Sequence, residues 1–160
     1  MKNNKTKQNT IEIINLLKSR NQTITFAESC TGGRIASTFT SISGASSVLM
    51  GSAVTYANEI KSKWLGVKAQ TLTEHGAVSQ ECVKEMLEGI IAMASADYAI
   101  AVSGIAGPTG GTEQKPVGTV YIGIIDNNNI TIEHHLFSGD REAVQEQAKD
   151  TAIALLKKKL

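Results

Sequence analysis

Ser29 and Lys61 are the two side chains whose types suit a nucleophile and its base. A serine hydroxyl attacks weakly until a neighbour accepts its proton, and a neutral lysine does this in Ser-Lys hydrolases when burial or a nearby cation lowers its pKa. Ser29 lies in Thr25–Arg34, Thr-Phe-Ala-Glu-Ser-Cys-Thr-Gly-Gly-Arg, where a short apolar run ends in polar residues and two glycines. Lys61 follows after 32 positions, with Tyr56 and Asn58 on its approach. Taken by themselves, a turn hydroxyl and a solvated helix charge are the ordinary reading of this pair.

Two further segments carry chemistry. Ser103-Gly104-Ile105-Ala106-Gly107-Pro108-Thr109-Gly110-Gly111 is glycine-rich, so its backbone amides can approach a phosphate, a carbonyl or a developing oxyanion. It lacks the Gly-Lys-Ser/Thr ending of a P-loop, and it is no dinucleotide fingerprint between strand and helix. Ser138-Gly139-Asp140-Arg141 precedes the last expected helix, and Arg141 suits a bidentate contact to an anion beside helix amides. Arg34 is a second anion candidate.

Several neighbours have two readings each. Glu28 either orients a polar group of the site or closes the strand as a surface carboxylate. Thr31 and Thr109 offer hydroxyls to a ligand or to a turn. Cys30 reads as a packed small side chain, since direction alternates along a strand. His75, His134 and His135 make no zinc site: no HExxH occurs, and adjacent strand residues face opposite sides.

These residues need an α/β scaffold that gathers loops at the carboxyl ends of strands, where such sheets bind ligands. Residues 1–8 are polar and read as frayed, with 1–7 flexible. Ile11, Ile14, Leu16 and Leu17 suggest a sheet-covering helix, Thr23–Ala27 a first strand and Arg34–Thr40 the next helix. Ala45–Met50 reads as a short helix and Ser52–Tyr56 as a strand. Asn58 is the expected cap of a helix stopped at Gly66, and Thr71 with Glu74 has capping-box spacing. A longer helix follows Ser79, with Val83, Met86, Leu87, Ile90 and Ile91 as its stripe. Tyr98–Ser103 reads as a buried strand. Val117–Ile125 and Ile130–Phe137 form a hairpin through Asn127-Asn128-Asn129. Asp140 or Ser138 caps a final helix with Val144, Ala148, Ala152 and Leu155 inward. Trp64, Tyr98 and Tyr121 read as core or interface. The pattern predicts a three-layer α/β/α sandwich with a mixed, mostly parallel central sheet and a late hairpin.

At 160 residues and 41% hydrophobic, the chain suits a single domain over 1–160. Residues 8–156 hold 10 basic and 15 acidic groups, a balance of −5, which disfavours a nucleic-acid surface. Two cysteines without CxxC spacing fit a reducing cytosol, and no apolar stretch suits a signal peptide or a membrane span, so a cytoplasmic location is expected.

Longer motifs carry a family resemblance: Ala27-Glu28-Ser29-Cys30-Thr31-Gly32-Gly33, Val54-Thr55-Tyr56-Ala57-Asn58-Glu59-Ile60-Lys61 and Gly76-Ala77-Val78-Ser79. It continues through Val102–Pro108, Lys115–Val120 and Phe137–Arg141. The chain, over residues 8–157, resembles the carboxyl-terminal domain of the CinA family, in its stand-alone PncC-type nicotinamide-nucleotide amidase form. The resemblance implies hydrolysis of the nicotinamide mononucleotide carboxamide to nicotinic acid mononucleotide and ammonia. It implies Ser29 as nucleophile, Lys61 as base, Tyr56 as their motif partner and Arg141 as a phosphate contact. Glu28, Thr31, Gly32, Gly33, Asn58, Ser103, Gly104, Gly107, Thr109 and Arg141 complete the expected substrate site. No metal, no cofactor, no nucleic acid and no membrane are expected; a nucleotide substrate and a homo-oligomer, a dimer, are. The alternatives are a nucleotide-binding, competence-associated regulatory module without catalysis, and an amidohydrolase acting on another nucleotide amide.

Overall fold

The computed structural model describes residues 2–160, with side chains from residue 4 onward. In chain order the elements are α1 (Lys2–Ser19), β1 (Ile24–Glu28), α2 (Arg34–Thr40), a 3-10 turn (Ala45–Ser47) and β2 (Leu49–Val54). Then come α3 (Asn58–Leu65), α4 (Ala69–His75), α5 (Gln80–Ala94), β3 (Tyr98–Gly104), β4 (Thr119–Asp126), β5 (Asn129–Leu136) and α6 (Arg141–Lys159). The sheet order is β2-β1-β3-β4-β5. β1 lies parallel to both β2 and β3, while β3–β4 and β4–β5 are antiparallel. The mixed sandwich with a late hairpin is therefore the observed fold.

β1 is buried along its whole length because both sheet faces are covered. Phe26 joins a cluster with Ile13, Leu17, Ile35, Phe39, Val144 and Ile153, which places α1, α2 and α6 on that face. Ala27 points the other way, into a cluster with Leu65, Val83, Met86 and Leu87 from α3 and α5. Alternation along a strand thus splits adjacent residues between two cores. Because β1 and β3 run parallel with Glu28 opposite Val102, the loops after both strands leave at one edge. That shared edge positions the site.

Several local expectations are corrected. Residues 2–8 are helical rather than frayed: Thr6 is buried, and its hydroxyl donates to Asp150 Oδ1 on α6 at 2.8 Å. Packing on α6 supplies what local polarity obscured, and Met1 lies outside the described residues. Ala45–Met50 is not one helix, because β2 already begins at Leu49. α4 starts at Ala69 with Lys68 as its N-cap residue, so Thr71 caps nothing; its hydroxyl donates to Glu85 on α5 instead. Asn58 is the first residue of α3, whose N-cap is Ala57. Gly66 does end α3, in the left-handed region. Asp140 caps α6 by accepting the Ala143 N–H at 2.9 Å. Asn127 and Asn128 both take positive φ, which closes the β4–β5 turn in two residues. Tyr98 is buried, whereas Trp64 stands half-exposed on α3.

Candidate functional site

Ser29 follows the last residue of β1. Its N–H donates to Val102 O at 3.0 Å and its own carbonyl accepts from Gly32 N–H, so the chain turns sharply at Ser29–Gly32. The turn is secured by Glu28, whose buried carboxylate accepts the N–H groups of Gly33, Ile35 and Ala36 at 3.2, 3.1 and 3.0 Å. One side chain thereby satisfies three of the amides that α2 leaves unpaired at its start. Gly33 has φ 96°, a conformation that favours glycine.

Lys61 reaches the same place from α3. Its side chain is 1% exposed, and Nζ lies 2.8 Å from Thr55 O, 3.0 Å from Tyr56 O and 3.0 Å from Ser29 Oγ. No carboxylate pairs with it among the described residues, and burial pushes its pKa below the ordinary lysine value. Two of the three neighbours are carbonyls, which only accept. A neutral amine has two N–H groups and one lone pair, so donating to both carbonyls turns the lone pair toward the Ser29 hydroxyl. The arrangement can therefore take the Ser29 proton.

Cys30 and Cys82 do not compete for this role. Burial raises the Cys30 thiol to about 12 and the Cys82 thiol to about 11, which keeps both protonated.

Arg141, at the start of α6, spans the mouth. Nη1 donates to Gly107 O at 2.7 Å and Nη2 to the Tyr56 hydroxyl at 2.7 Å. Tyr56 is thus joined to Lys61 through its carbonyl and to Arg141 through its phenol. The Gly104–Gly118 loop closes the opposite side. Gly107 has φ 83°, and a Cβ there would lie 2.4 Å from Val117 Cγ1, so the loop can pass this closely only with glycine.

A cavity of about 240 Å³ lies among these groups. Ser29, Lys61, Tyr56, Asn58, Ser103, Gly104, Gly107, Thr109 and Arg141 all line it, from four stretches of chain. Glu28, Thr31, Gly32 and Gly33 do not. Glu28 faces the start of α2, Gly32 and Gly33 donate their N–H groups within the turn, and Thr31 is buried with an unpartnered hydroxyl. Sequence reasoning missed the contribution of Ala77, Val78, Ile105 and Ala106 to the wall. The Gly76–Ser79 motif was the available signal for the first two. Gln145 of α6, whose Nε2 donates to Cys30 O at 2.9 Å, gave none. A larger cavity of about 490 Å³ sits at the far edge of the sheet and is lined by no serine, cysteine, lysine or arginine. No group of three or more metal-ligating side chains occurs among the described residues, and no helix there is long and apolar enough to cross a membrane.

Known proteins share this architecture. The profile of the CinA C-terminal domain matches residues 6–160. A CinA-like protein of Endomicrobium trichonymphae is 51% identical over 145 residues, 91% of this chain and 34% of that protein. The chain thus spans about a third of the length of such relatives. The nicotinamide-nucleotide amidohydrolase PncC of Escherichia coli K12 is 50% identical over 140 residues, 87% of this chain and 84% of that protein. Among solved structures, the competence damage-inducible protein A of Klebsiella pneumoniae superposes with a TM-score of 0.92 at 40% identity, covering 96% of this chain and 95% of that one. The Agrobacterium tumefaciens competence/damage inducible protein gives 0.94 at 35% identity, covering 96% and 94%.

Proposed function

The chain belongs to the CinA C-terminal domain family, and from that premise we propose that it hydrolyses nicotinamide mononucleotide to nicotinic acid mononucleotide and ammonia. The observation that carries the reading is the donor count around Lys61: two carbonyls take its hydrogens, and Ser29 Oγ faces what remains.

Neutral Lys61 takes the Ser29 proton as Oγ attacks the carboxamide carbon. The N–H groups of Cys30 and Thr31 have no protein acceptor among the described residues, and the Cys30 amide lies immediately after the nucleophile. It is the first choice to receive the oxyanion. Protonated Lys61 returns its proton to the departing nitrogen, so that ammonia rather than an amide anion leaves. Water, deprotonated by the same lysine, then cleaves the acyl-serine and restores both groups. Arg141 uses two of its five N–H donors on Gly107 and Tyr56, and those left suit the phosphate of the nucleotide. Asn58 and Thr109 supply neutral polar contacts within the cavity. The reaction as proposed is metal-independent. Its site of action is the cytoplasm, a reading supported by two buried unpaired thiols.

The test follows ammonia and nicotinic acid mononucleotide formation by the wild type, Ser29→Ala and Lys61→Ala, with and without chelator. Chelator-resistant turnover lost in both folded variants is the expected outcome. Tight nucleotide binding without turnover by the wild type would instead favour a regulatory module. Turnover of a different nucleotide amide would move the substrate assignment alone.

A further inference from the structure

Gln145 is a buried amide on α6 that the mechanism above does not use. It lies 115 positions from Cys30 in the chain, and its Nε2 donates to the Cys30 carbonyl at 2.9 Å. No other donor to that carbonyl occurs among the described residues. Arg141 and Gln145 stand at i and i+4, one turn apart on one face of α6. Arg141 holds the Gly107 loop and Tyr56, while Gln145 holds the turn that carries Ser29.

The turn is short, and its peptide planes decide where its amides point. Ser29 O accepts from Gly32 N–H, which fixes the Ser29–Cys30 peptide. A trans peptide directs its C=O and N–H oppositely, so the Cys30 N–H points away from that hydrogen bond. Gln145 fixes the next peptide through the Cys30 carbonyl. Both peptides flanking Cys30 are thus held, one by the turn itself and the other by α6. We propose that Gln145 is a positioning residue for the reaction, setting the backbone of Cys30 so that its N–H faces the oxygen, and the Ser29 hydroxyl the carbon, of the same reacting carbonyl. This rests on Ser29 being the nucleophile.

Two measurements on Gln145→Leu test it. The first is steady-state hydrolysis of nicotinamide mononucleotide, with the dissociation constant of nicotinic acid mononucleotide measured alongside. The second is the rate at which a fluorophosphonate labels Ser29, Oγ displacing fluoride at phosphorus, which needs no nucleotide recognition. A loss of alignment at the reacting centre predicts kcat lower by about 10- to 100-fold and labelling slowed to a similar degree, while KM and product affinity stay within about twofold. Ile153→Val removes a methylene from the buried face of α6 and serves as the control for destabilisation, with kcat expected to remain that of the wild type.

Wild-type kcat and labelling in folded Gln145→Leu would overturn the role, as would equal losses in Ile153→Val. Slow labelling of Gln145→Leu beside a reactive wild type that leaves the nucleotide intact would uphold the positioning role and reject the proposed substrate. A wild type inert in both assays would reject both.

Discussion

Lys61 Nζ and Ser29 Oγ stand 3.0 Å apart inside a protein that buries both residues. Among the described residues no other side chain lies within hydrogen-bond distance of Ser29 Oγ. Ser29→Ala is expected to fold and to lose at least about 10³-fold in kcat, as is Lys61→Met, which keeps the length of the side chain without its base. Rapid-quench mass spectrometry on the wild type should capture an acyl group on Ser29, whereas retention of near-normal turnover by Ser29→Ala would remove it as nucleophile.

Burial lowers the Lys61 pKa, and this has two consequences that are measured separately. The base form is the active one, so kcat/KM should rise with pH along an acid limb whose midpoint lies below the ordinary lysine value of about 10.4. Stability moves in the same direction. Between the lowered folded pKa and the ordinary unfolded one, the unfolded chain binds the extra proton, so unfolding becomes less favourable as pH rises. Urea melts across that window should show the wild type gaining stability relative to Lys61→Met; parallel curves would contradict the lowered pKa.

Among the described residues Arg141 has no carboxylate partner and donates to neutral oxygens only. Removing a charge-assisted contact to phosphate costs about 1.5–3 kcal/mol, so Arg141→Ala should raise KM for the mononucleotide roughly 10- to 150-fold, with a smaller change in kcat. The preference for the phosphorylated substrate over the riboside should shrink by a similar factor. Tyr56→Phe should be milder, within about tenfold in kcat, because Lys61 is held by the Tyr56 carbonyl and not by its phenol.

Glu28 belongs to stability before it belongs to binding. Its carboxylate takes three backbone hydrogens on two oxygens, and a glutamine there would turn its NH2 group against the hydrogens on one of them. Glu28→Gln should cost about 2–4 kcal/mol, seen as a lower urea midpoint at unchanged m-value. An unaltered midpoint would show that the start of α2 does not depend on this carboxylate.

Much of this was legible in the residues, and the reasons for what was not differ from case to case. The core stripe of α5 and the strand Tyr98–Gly104 are periodic or continuous over enough residues to declare themselves. The serine-lysine pairing was suggested by chemistry and motif, while its distance depends on how β1 and β2 lie side by side. Glu28 looked like a site residue because it adjoins one. Its direction is set by the pleat and by the return of α2, neither of which spacing reveals. The first turns of α1 read as loose because their support comes from Asp150, at the other end of the chain. Thr71 matched a capping pattern by spacing alone, and its hydroxyl found a carboxylate on a neighbouring helix instead. Gln145 sits on a helix of ordinary composition, where nothing local marks an amide that reaches across to another segment.

The hold of α6 on both walls of the cavity bears on how the protein comes into being. Ser29 precedes Arg141 and Gln145 by more than a hundred residues, so it is synthesised before them. Until α6 docks, the serine turn lacks its distal amide and the Gly107 loop lacks its guanidinium. Contacts of such long sequence separation form late, because the loop they close must first be brought together. On the proposed mechanism the order of assembly would act as a safeguard: a partly folded chain carries Ser29 and Lys61 without the α6 contacts that hold the serine turn and the Gly107 loop.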